Sequence, residues 1–151
     1  MREAVHASPV WRDRSNFVIG ATVDPAGTDV TSEQLWARKS DDGTFEVCCI
    51  PFFAYDLALG DRVLVDDEYN VVRVVWPSGR YVFRVYLDQD QQRDAPRLED
   101  WLRSHDLLFE WSSASLVSID APDLPSAQAL GAALLEREQR GELLMETGRS
   151  E

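Results

Sequence analysis

The stretch Glu46-Val47-Cys48-Cys49-Ile50-Pro51-Phe52-Phe53-Ala54-Tyr55-Asp56-Leu57-Ala58-Leu59-Gly60-Asp61-Arg62-Val63 constrains the fold more than any other part of the chain. It is the most apolar segment, yet it cannot run as one strand or one helix. Pro51 has no amide hydrogen to give to a ladder, so a strand over residues 45–50 must stop there. Residues 52–59 are too few and too aromatic for a helix and read as a compact apolar crossover, and Gly60-Asp61 is a turn that launches the next strand. Such a segment belongs at an interface shared by two halves, each too small to stand comfortably alone.

Before and after this crossover the hydrophobic pattern is strand-like. Residues 16–23 are β-branched and end in the turn-former Asp24-Pro25-Ala26-Gly27. In residues 33–39, Leu35 and Ala37 alternate with Gln34, Trp36 and Arg38. Asp41-Asp42-Gly43 suits the positive φ of a hairpin turn, and the strand it feeds puts Phe45, Val47 and Cys49 on one face and Glu46, Cys48 and Ile50 on the other. Residues 62–65 and 71–76 form a further hairpin around the charged tip Asp66-Asp67-Glu68-Tyr69-Asn70. Five short strands with no helix between them predict a small closed or half-closed β-barrel over residues 16–76, preceded by a loose arm, residues 1–15, that docks late through Val10 and Trp11.

After Pro77 the pattern changes. Residues 81–87 form a strand, Asp94 is placed to cap a helix with Leu98, Trp101, Leu102 and His105 on one face, and residues 107–111 and 114–120 make an antiparallel hairpin around Ser112-Ser113. A second helix begins near Asp123-Leu124-Pro125 and stops at Gly141, and residues 142–147 close as a strand. That order is the ferredoxin-like βαββαβ topology. The expected class is therefore α+β, a five-stranded barrel-like part followed by a ferredoxin-like part over residues 77–147 and a tail, residues 148–151. By alternation, the sheet face away from the helices carries Arg84, Tyr86, Glu110, Glu146 and Ser118, a polar and aromatic surface suited to a partner or to packing against the barrel.

Charge narrows the partners. Twenty-seven acidic against fifteen basic residues give a net charge of −12, which repels nucleic-acid phosphates and anionic membrane surfaces and favours a basic protein partner. The N-terminus lacks the apolar core of a signal peptide, and no apolar run approaches the ~18 residues of a membrane span, so the expected location is cytoplasmic. Adjacent cysteines strain any disulfide between them, so Cys48 and Cys49 read as reduced thiols, small hydrophobes in a strand.

No complete catalytic set is present. A cysteine nucleophile needs a base, and the histidines are His6 on the arm and His105 at a helix end, where it complements the dipole. No spacing of His, Cys and carboxylates matches a metal site, so neither metal nor cofactor is expected. Ser78-Gly79-Arg80 reads as a turn that could also offer donors to one anion. The candidate binding surface is where the crossover meets the strand after Pro77: Cys48, Phe52, Tyr55, Asp56, Arg80 and Arg84. Junctions of two packed bodies supply concavity with a mixed lining.

The motifs Glu33-Gln34-Leu35-Trp36-Ala37, Cys48-Cys49-Ile50-Pro51-Phe52, Leu59-Gly60-Asp61 and Pro77-Ser78-Gly79-Arg80-Tyr81, followed by Phe83-Arg84, resemble a bacterial family catalogued as a domain of unknown function. The likeness spans residues 11–147 and implies a small cytoplasmic bacterial protein, with no catalytic residue carried over. The leading functional expectation is a non-enzymatic acidic binding module, an adaptor or immunity-like protein acting on a protein partner. The alternative is a small-molecule-binding or cysteine-using enzyme with its pocket between the two halves, and a third reading is a purely structural subunit.

Overall fold

The computed structural model describes residues 2–24 and 27–150. The chain forms two sheets and two helices, an α+β architecture. The first sheet holds β1 (Arg2–Ala4), β2 (Phe17–Thr22), β3 (Val30–Lys39), β4 (Phe45–Val47), β5 (Arg62–Val65) and β6 (Val71–Trp76). The second holds β7 (Tyr81–Tyr86), β8 (Leu108–Ser113), β9 (Leu116–Ala121) and β10 (Leu144–Thr147), with α1 (Ala95–Ser104) and α2 (Leu124–Gln139).

The first sheet does not close into a barrel. Its strand path is β1-β3-β4-β5-β6 with β2 on the other side of β3, and β6 returns to β2 at a single bridge between Gly20 and Asn70. A Cβ on Gly20 would lie 2.7 Å from Asn70 Oδ1, so a side chain there would have to displace the Asn70 amide group. The β5–β6 pair carries two register shifts, between Arg62 and Val63 and between Leu64 and Val65.

Residues 2–15, expected as a loose arm, are built into the fold. Strand β1 pairs in parallel with β3, His6 is buried, and the Trp11 amide donates to the Cys48 carbonyl. Strand β3 begins at Val30, earlier than its alternation indicated, because β1 supplies a partner there. Strand β4 stops at Val47, so Cys48, Cys49 and Ile50 leave the ladder before Pro51. Residues 48–60 carry no strand or helix. Part of the turn expected at residues 24–27, Pro25 and Ala26, lies outside the described residues.

The second sheet runs β10-β7-β9-β8, every neighbouring pair antiparallel, with each helix between the strands that sequence order requires. The β8–β9 turn falls at residues 114–115, not at Ser112-Ser113, because a register shift near Trp111 extends β8. Asp94 stands at the start of α1 but its side chain accepts no capping hydrogen bond, since a 3-10 turn (Gln91–Asp94) already leads into the helix. Asp123 does cap α2, accepting from the Ser126 amide. Gly141, at φ 75°, ends that helix in the left-handed region where a side chain would be strained.

Phe83, Val85, Val117 and Ile119 on one face of the second sheet pack under Leu98, Leu102, Leu130 and Leu134 of the helices. A separate core fills the first sheet around Leu35, Phe45, Val47, Cys49 and Val63. Between these two apolar bodies lies a polar layer, and residues 48–58 run through it. The tail is tied in too: Gly148 links the Val82 carbonyl to the Asp56 amide, and Ser150 bonds Asp56.

Candidate functional site

An irregular segment buried between two cores leaves its amides and carbonyls without ladder partners, each a loss of about 1–3 kcal/mol if unpaired. Here side chains replace the ladder. Across the second sheet, Glu146, Arg84, Ser118 and Glu110 pair in register on four successive strands, forming one polar row on the face away from the helices. The Glu110 carboxylate accepts from the Ile50 amide at 2.7 Å, and the Ser118 hydroxyl donates to the Ile50 carbonyl at 3.0 Å. Arg84 Nη2 donates to the Ala54 carbonyl.

The first sheet contributes Glu33. It shares the inward face of β3 with Leu35 and Ala37, and its carboxylate accepts the amides of Phe52, Phe53 and Ala54 at 2.7, 3.0 and 2.9 Å. Successive amides turned toward one point make an anion-binding concavity, and this protein fills it with its own carboxylate.

His6 joins the two carboxylates. Its Nε2 lies 2.6 Å from Glu33 Oε2 and its Nδ1 2.7 Å from Glu110 Oε1, and its ring stacks on Phe52 at 4.1 Å. Ionised carboxylates only accept hydrogen bonds, so the ring between them carries both protons. Burial opposes that charge, but with Cys49 protonated it is the Glu110 and Glu33 carboxylates that outweigh burial and hold the His6 pKa above its ordinary 6.5. For Glu33, burial pushes the pKa up, and the His6 contact with the Phe52 and Ala54 amides brings it below the usual carboxylate value. The side chains of His6 and Glu33 have no solvent exposure and that of Glu110 has 2%, and none of the three borders the cavities at the junction, so the cluster holds the sheets together.

The thiols adjoin this cluster. Cys48 is fully buried, and burial followed by the nearby Glu46 charge pushes its pKa up to about 12. Cys49 is also fully buried, and burial raises its pKa despite the neighbouring imidazolium. Thiols held protonated and out of solvent are poor nucleophiles.

The six candidate residues divide between different places. Phe52 packs inside against His6, and Cys48 lies at the end of β4, away from the cavities. Asp56 and Arg80 border a cavity of about 280 Å³ on one side of the junction, with Leu57, Tyr81 and Arg149. There Arg80 bonds the buried Asp120 at 2.5 Å and stacks over Trp11. Burial lifts the Asp120 pKa to about 6 against the pull of Arg80.

Tyr55 and Arg84 come together at a second, half-open cavity of about 430 Å³. The Arg84 guanidinium is fully buried and lies 4.9 Å from the Tyr55 ring centre. Glu146 accepts from the Tyr55 hydroxyl at 3.1 Å and from the Tyr86 hydroxyl at 2.8 Å, and stands 3.6 Å from Arg84 Nη1. Burial raises the pKa of both tyrosines above that of a free phenol, so both hydroxyls keep their protons to donate. Phe53 and the β8–β9 serines complete the wall.

His6, Glu33 and Glu110 were not singled out as a unit from sequence. The local signals are Glu33, a carboxylate in phase with Leu35 and Ala37, and Glu110, which alternation puts on the polar face of the second sheet. Among the described residues, no cluster of His, Cys, Asp and Glu side chains is arranged to hold a metal ion, and no helix is long and apolar enough to cross a membrane.

Comparison with curated proteins finds no match. Among solved structures, a hypothetical protein from Neisseria gonorrhoeae matches with a TM-score of 0.70 at 19% identity, covering 89% of this chain and 96% of the other. That likeness shows a shared fold. The sequence profile of the family described as Domain of unknown function (DUF4265) matches residues 33–145, a span that includes Glu33, both cysteines, Arg84 and Glu110. The chain therefore belongs to the DUF4265 family.

Proposed function

We propose that this protein is a non-enzymatic binding module of the bacterial cytoplasm that acts on a basic protein partner through the junction of its two sheets, the second of them ferredoxin-like. The observation that carries the reading is the Tyr55–Glu146–Arg84 arrangement. Tyr55 is 43% exposed although its hydroxyl and one ring face are already engaged, so an aromatic anchor is held rigid at the surface beside a carboxylate. Rigid aromatic side chains supply large contact area at small entropic cost and dominate interface energetics. The charge of −12 favours a partner of opposite sign.

The cysteine-enzyme alternative loses support, because both thiols are buried and protonated and His6 is committed to two carboxylates. Capture of partners from the native host, repeated with Tyr55→Ala, tests the reading. Loss of a specific partner with an unchanged melting temperature supports it. Identical capture by both proteins removes the junction from consideration.

A second reading, a small-molecule site in the 430 Å³ cavity, is favoured by one further observation. Arg84 Nε and Nη1 have no hydrogen-bond partner among the described residues.

A further inference from the structure

We infer that the cavity bordered by Phe53, Tyr55, Arg84, Tyr86 and Glu146 binds a small zwitterion of amino-acid size, its carboxylate toward Arg84 and its ammonium toward Glu146. The inference rests on the small-molecule reading and is independent of the protein partner.

A guanidinium carries five N–H donors. In Arg84, Nη2 is taken by the Ala54 carbonyl, Nη1 sits 3.6 Å from Glu146 Oε1, beyond hydrogen-bonding distance, and Nε has no acceptor. The side chain is fully buried, so bulk water does not serve these donors. Glu146 is in the complementary condition. Its carboxylate accepts two tyrosine hydroxyls, its side chain keeps 33% exposure, and acceptor capacity remains.

A ligand with only a negative charge would meet Glu146, and one with only a positive charge would meet Arg84. A ligand carrying both satisfies each half while leaving the cavity's net charge unchanged. The other charged groups on the wall are one of each sign, Arg2 and Asp24, with Arg2 engaged by Asp29. The Tyr55 and Tyr86 hydroxyls donate to Glu146 and hold its carboxylate in place on the cavity wall. Cavities of about 300–1,000 Å³ with aromatic walls and a few placed polar groups are ordinary small-molecule sites, and about 430 Å³ falls in that range.

The test is a titration of the isotope-labelled full chain with glycine and with phenylalanine, followed by amide NMR, with acetate and methylamine as single-charge probes. The expected result is saturable shifts at Tyr55, Tyr86, Ser113 and Glu146 with at least one amino acid, and binding about tenfold weaker or worse for both single-charge probes. Glu146→Gln, whose shape is conserved, lowers the melting temperature because the buried Arg84 loses its counter-charge, and, titrated well below its own melting temperature, should weaken amino-acid binding by about tenfold; Tyr86→Phe, which leaves the ring and both charges, should weaken it less. Absence of saturable shifts at about 10 mM ligand, equal binding of acetate, or undiminished binding by Glu146→Gln would overturn the inference. Partner capture that depends on Tyr55 while the amino acids produce no shifts would remove this inference and leave the partner reading standing.

Discussion

Replacing His6 by alanine should remove about 4 kcal/mol of stability. The substitution deletes an imidazolium whose two nitrogens contact carboxylates at 2.6 and 2.7 Å in a region without solvent exposure. Removing one member of a buried charge pair costs roughly 3–5 kcal/mol, chiefly because the remaining charge is left unpaired. Here two charges are left, softened by the amides that each carboxylate also accepts. Loss of the stack on Phe52 adds about 0.5–1.5 kcal/mol. Against a typical total of 5–15 kcal/mol, the variant stays folded near room temperature but becomes marginal.

Urea titration followed by tryptophan fluorescence measures the loss. A double-mutant cycle with Glu33→Gln isolates the contact, and a coupling energy above about 1.5 kcal/mol is expected because both residues belong to one network. A His6→Ala loss under about 1 kcal/mol, or a strictly additive cycle, would refute the reasoning and make His6 a replaceable filler.

The pH dependence carries a definite sign. The raised His6 pKa contributes stability that is fully present below pH 6.5 and lost as the pH rises through that raised value, while the lowered Glu33 pKa contributes stability present above pH 4.5 and lost as the pH falls below it. Once the pH falls through the lowered Glu33 value, that carboxylate is neutral with or without His6, so only there should the His6→Ala variant approach the wild type in urea midpoint. Asp120 runs the other way: its raised pKa means that wild-type stability relative to Asp120→Asn declines from pH 3.8 through about 6 and then levels off. A flat difference in melts over that range would contradict this. Cys48 and Cys49 should not react with an aromatic disulfide reagent at pH 8 in the native state and should react fully in urea, and rapid native labelling of either would count against their burial. Gly60→Ala should cost about 1–3 kcal/mol in a urea titration, because φ is +83° and the new Cβ would stand 3.1 Å from Ser78 Cβ. An unchanged midpoint would show that the turn at residues 60–61 tolerates a side chain.

Much of the local structure could be read from residue order. Period-two alternation marked the strands, the Asp123-Leu124-Pro125 start and Gly141 stop bounded α2, and Pro77 marked the passage from one sheet to the other. These are nearest-neighbour effects of backbone conformation and of apolar spacing, and they act within a few residues. Even the polar row Glu146, Arg84, Ser118 and Glu110 followed from alternation, because a strand repeats every two residues wherever it sits.

The openness of the first sheet, the place of residues 2–15 and the purpose of the polar row came only from tertiary structure. Whether β6 pairs with β2 is a contact between strands some 50 residues apart, and hydrophobic pattern, which acts within a strand, carries no mark of it. His6 lay in a polar segment without period, and its partners Glu33 and Glu110 are 27 and 104 residues away in sequence. His6, taken alone, looks like an exposed polar side chain, and although Glu33 is in phase with Leu35 and Ala37 and Glu110 stands in the polar row, nothing local links the three. Their burial becomes favourable only when the irregular residues 48–56, pressed between two apolar cores, present amides that a ladder cannot satisfy, so that carboxylates and a cation must be brought in from both sides.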